Sequence, residues 1–145
     1  MRFVSLTSVA VAAAAVYLLL ALSTYGWSVQ LPFDVWFSTW DARPYASLAG
    51  MQVSHLIAVI AAAIPVSVAL LLFRRADALK AAFLTGLVAA AYCLSFPAGT
   101  YHGPVWLLRW SGEIDIVKFA VVLPAVTFAL RFVIQRIRYQ AASVT

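Results

Sequence analysis

The chain has 145 residues, 65% hydrophobic and 10% charged, with a mean hydropathy of +0.96. A soluble domain is about half apolar and about a quarter charged, and one this small has too little interior to hide the excess, so composition excludes a water-soluble fold and leaves one compact membrane domain. The net charge of +5 comes from basic residues that flank apolar runs, which speaks for orientation in a bilayer and against a nucleic-acid partner.

The first apolar run covers residues 3–22. Arg2 and Ala21-Leu22-Ser23 give it some features of a signal peptide, but its length suits a spanning helix of about 20 residues. We expect a true first helix. Ala10 and Ala12 to Ala15 give it a small-residue surface for close helix packing.

An outer loop is expected over residues 24–43, and it is dense in aromatics. Trp and Tyr favour the headgroup layer, which accounts for Trp27, and for Trp106 and Trp110 further on. The stretch from Leu31 to Trp40 holds more rings than such a belt needs. It reads either as an interfacial helix or as a docking surface, because aromatics dominate interface anchors. Phe33, Trp36, Phe37 and Trp40 are the candidate partner-binding residues.

The second run covers 53–73, with an outer extension back to Pro44. Gln52 and His55 fall on one face at its outer end, three residues apart. Pro65 lies inside the run, where membrane helices tolerate proline. A short basic link with Arg74, Arg75 and Lys80 follows. The third run, 81–96, is the shortest. It carries Gly86 and Ala90 in a small-xxx-small pair, and the lone Cys93, read as a packing residue. The second outer loop is expected over 97–112, with His102 in a Gly- and Pro-rich turn.

The fourth run, 116–135, contains Pro124 and the most informative charges. Lys118 and Arg131 are separated by only ~18 Å of helix against a hydrocarbon core of ~30 Å. Arg131 snorkels to one surface along its long stem. Lys118 needs a partner near the other, and Asp115 stands three residues earlier, with Glu113 closer to the surface. Gln52 and His55 fall at the same height, so Gln52, His55, Asp115 and Lys118 are expected to form a polar cluster between the second and fourth helices. His102 would cap it and Glu113 would flank it. A helix-top salt bridge and a ligand site are both open readings.

The runs are rich in Ala, Leu and Val with no period-two alternation, so the fold expected is an all-α antiparallel bundle of four transmembrane helices. Basic residues cluster at the two termini and the Arg74–Lys80 link, so both termini are expected in the cytoplasm of a bacterial-type inner membrane. No catalytic motif or metal-ligand spacing is present, and neither cofactor nor metal is expected. Small multidrug exporters share the size and span count, but the first run here lacks a membrane-embedded glutamate. The expected function is non-enzymatic: binding of a membrane or periplasmic protein through the outer loops, as an accessory subunit or immunity-type protein. Membrane lipid is the surrounding partner, and a homo-oligomer stays open. The alternatives are a small oligomeric transporter or channel component using the polar cluster, and a membrane subunit of a redox or lipid-modifying enzyme.

Overall fold

A computed structural model of the chain describes residues 5–28, 43–94 and 105–142. They are helical apart from Ser5 and a four-residue link, in the order α1 (Leu6–Ser28), α2 (Arg43–Phe73), α3 (Ala78–Leu94) and α4 (Val105–Ala142). Three of the four contain stretches long and apolar enough to cross a membrane: Leu6–Tyr25, Gln52–Phe73 and Glu113–Ala142. The fourth, α3, is apolar but only 17 residues long.

Local chemistry sets several helix ends. Ser5 caps α1: its hydroxyl accepts the amide of Ser8 at 3.1 Å, and its carbonyl accepts the amide of Val9. The α2–α3 link closes with Asp77 N–H on the Arg74 carbonyl, and the Asp77 carbonyl then accepts the first bond of α3, from Ala81. An acidic residue suits that position, where unmatched amides carry partial positive charge.

The ends differ from the sequence expectation, most of all at α4, which runs on to Ala142 rather than 135 and also begins earlier. Residues 105–112, expected as loop, are the first two turns of α4. Gly103-Pro104 directly precedes this start in the sequence, and Gly112 lies inside the helix without ending it. Residues 24–28, likewise expected as loop, belong to α1, which runs on to Ser28.

Packing follows the small residues. The buried face of α3 is Ala78, Ala81, Ala82, Thr85, Gly86, Ala89 and Ala90, a strict three-four spacing. Alanines 10, 14, 21, 58, 62 and 63 fill the interior sides of α1 and α2. Many large apolar side chains point the other way: Leu19, Leu22, Leu72, Phe83, Phe128 and Phe132 are all exposed. Water would expel such a surface. Lipid tolerates it, and association then depends on close backbone approach through small residues. Helix α3 lies against α4 and α1, while α2 lies against α1 and α4.

Helices α3 and α4 approach closely at Gly86. A Cβ there would stand 2.9 Å from the backbone oxygens of both Phe119 and Ala120. Ala120 is four residues before Pro124, which has no N–H to offer its carbonyl. Glycine on α3 therefore fits against the one stretch of α4 where the helical bonding is interrupted.

Candidate functional site

Two side-chain bonds fix how α2 and α4 are aligned. His55 meets Asp115, and Ser67 accepts from Thr127 at 2.8 Å; both pairs are 60 residues apart in sequence. A constant separation means that the two helices run in the same direction here, without slippage over three turns. Any group on α2 can thus be matched to the group 60 positions on.

At the N-terminal end of this pair lies a compact polar network. The Asp115 Oδ1 atom stands 2.7 Å from Nδ1 of His55 and 3.2 Å from Nζ of Lys118. The Lys118 ammonium also donates to the Gln52 backbone carbonyl at 3.0 Å and to Gln52 Oε1. An ammonium has three N–H donors. Here three oxygens, from two helices, receive them. The Lys118 side chain is 10% exposed, Asp115 30% and His55 20%. Lys118 and Asp115 cancel in charge, so with a neutral imidazole the network carries none.

Helix geometry explains why these four meet. Asp115 and Lys118 share a face of α4 at a spacing of three, and Gln52 and His55 do the same on α2. The long lysine stem reaches across to the α2 backbone, while the shorter aspartate sits between imidazole and ammonium. Glu113 is exposed at the same end of α4, bordering a shallow groove with Lys118. His102 and the aromatic candidates Phe33, Trp36, Phe37 and Trp40 lie outside the described residues.

Beneath the network is a chain of rings that the sequence pattern does not single out. Tyr25 stands edge-on to His55 at 5.6 Å, His55 to Phe119 at 5.6 Å, and Phe119 to Tyr17 at 5.4 Å. Such edge contacts are favourable beyond area burial. They tie α1 to the α2–α4 pair around the imidazole. Tyr17 is fully buried, and its hydroxyl has no hydrogen-bond partner among the described residues; the same holds for Thr85. A tyrosine among alanines in mid-span was the available signal for Tyr17. Nothing in the sequence marks Phe119 apart from other apolar residues.

No group of three or more His, Cys, Asp or Glu residues placed to hold a metal ion occurs among the described residues. Chemically, the network can do two things. It can lock two helices by satisfying a buried ammonium, or its imidazole can exchange a proton beside a carboxylate. Comparison with protein-family models, with curated proteins and with solved structures found no match.

Proposed function

We propose that this chain is a non-enzymatic, four-span protein of a bacterial-type inner membrane, with both termini cytoplasmic, that binds a membrane or periplasmic protein through its outer segments. The observation that supports this reading is the saturation of Lys118. Its three donors are taken by Gln52 and Asp115, and its charge is cancelled. An ammonium so engaged acts as a clamp between α2 and α4. The chemistry left for recognition is then in the ring-rich stretch ahead of α2, with Phe33, Trp36, Phe37 and Trp40 as anchors. The basic residues at the termini and the Arg74–Lys80 link support the orientation.

The test is co-purification from native membranes, each variant normalised to its own yield. Trp36→Ala and Trp40→Ala are expected to leave insertion intact and to weaken partner capture, each by ~2 kcal/mol or more if the ring fills a pocket. Trp106→Ala and Trp110→Ala are the comparison and should matter less. Equal losses across all four, tracking yield, would reduce these rings to a membrane belt.

A second reading has one observation behind it. The 2.7 Å contact of His55 with Asp115 is an imidazole–carboxylate pair within the span region, where ionisable groups are costly and tend to serve transport. On that reading the chain is a component of a small proton-coupled transporter. His55→Gln would then abolish proton flux in reconstituted vesicles without changing the oligomer.

A further inference from the structure

We propose that the groove between the C-terminal ends of α2 and α4 is a binding site for the headgroup of an anionic glycerophospholipid, its phosphate held by Arg75, Arg131 and Arg138. This inference does not rest on the partner-binding reading, and it concerns the opposite end of the helix pair.

The groove exists because the two helices differ in length. Helix α2 ends at Phe73, whereas α4 continues to Ala142. With matched positions 60 apart, α2 runs out opposite residue 133 of α4. Alongside the last turn of α2 and just past it, the facing side of α4 borders a cavity of about 400 Å³. From α2 and its continuation it takes Val68, Leu71 and Arg75, spaced three and four apart on one face. From α4 it takes Arg131, Gln135 and Arg138, spaced four and three apart on one face. Two stripes therefore converge on one space, with Arg131 at the height of Leu71 among apolar side chains and Arg75 and Arg138 at the open end.

The electrostatics of this space are one-sided. It is lined by three guanidinium groups and no carboxylate. The side chains of the three arginines make no ion pair or hydrogen bond with a described residue. The acid in the neighbouring link, Asp77, faces Lys80 at 3.7 Å. Guanidinium forks match phosphate oxygens, and the Gln135 amide can add a further donor. The apolar side chains of the lining, Leu71, Leu72 and Ile134 among them, would take the first part of an acyl chain. A phosphate tethered to hydrocarbon satisfies both halves of the groove at once, and a free anion satisfies only one. Basic pockets between spanning helices are a known form of anionic headgroup recognition.

The experiment is native mass spectrometry of the full chain, released from nanodiscs that contain equal amounts of phosphatidylglycerol and phosphatidylcholine with the same acyl chains. The wild type is expected to retain phosphatidylglycerol about tenfold in preference. The double variant Arg131→Gln with Arg138→Gln should lose that preference. Arg138→Gln alone, in an exposed last stretch of α4 where folding is not at stake, should lower it several-fold. Arg136→Gln is the charge-matched control, since Arg136 is exposed on α4 outside the groove. An equal loss in Arg136→Gln would make the effect one of general surface charge and overturn the site. So would an absence of preference in the wild type. Displacement of the retained lipid by millimolar inorganic phosphate would overturn the lipid assignment in favour of a free anion.

Discussion

The two ends of the α2–α4 pair place long basic side chains beside the same two helices and reach opposite outcomes. At one end Lys118 meets a carboxylate, an amide and a backbone carbonyl from both helices, and the charge is closed off. At the other, Arg75, Arg131 and Arg138 line an open groove without an acid. The difference lies in the length of the partner. Helix α2 extends past the height of Lys118 and offers it a backbone carbonyl, but it stops before Gln135 and leaves α4 uncovered. A buried cation demands compensation, and a cation at an open helix end can stay solvated or bind a ligand.

The largest effect is expected where the closed end is opened. Asp115→Asn removes the carboxylate charge paired with Lys118 and weakens the bond to His55. We expect a loss of about 1–3 kcal/mol, read as a fall in unfolding midpoint in detergent, limited because Lys118 can snorkel. Adding Lys118→Met should recover most of it. If Asp115→Asn alone leaves stability unchanged, the closed end is not held by charge pairing.

A smaller effect should follow from disturbing the support beneath that end. Gly86→Ala adds a methyl group 2.9 Å from two backbone oxygens of α4, which cannot rotate aside. Overpacking of this kind costs about 1–3 kcal/mol, and alanine's better helix propensity returns up to about 1. A net loss of about 1–2 kcal/mol in the same unfolding assay is expected. A gain in stability would mean that α3 does not press on α4 at this point.

At the open end, removing a charge should cost almost nothing. Arg131→Gln breaks no ion pair with a described residue, so we expect a change within about 0.5 kcal/mol. A loss as large as that of Asp115→Asn would erase the contrast between the two ends.

Much of this was legible in the sequence, for reasons that can be stated residue by residue. Continuous apolar runs and their basic flanks mark the helices because hydrocarbon admits little else. Asp115 with Lys118, and Gln52 with His55, fall on shared faces because helical periodicity puts them there, and their common height follows from counting residues along each run. The start of α4 is not legible in composition, because aromatic and charged residues near an interface resemble loop and Gly112 stands inside the helix at a tolerated cost of about 1 kcal/mol.

Other features belong to the tertiary structure. That three donors of Lys118 find three acceptors depends on the parallel alignment of α2 and α4, which no local pattern encodes. That Gly86 meets the carbonyl of Ala120, four residues before Pro124, depends on how α3 lies across α4. The basic groove depends on α2 ending two and a half turns before α4 does. In each case one helix supplies the group and another supplies or withholds its complement. The sequence sets what each helix carries, because periodicity is a property of one segment. Which group meets which is decided by alignment between segments, and alignment is a property of the packed whole.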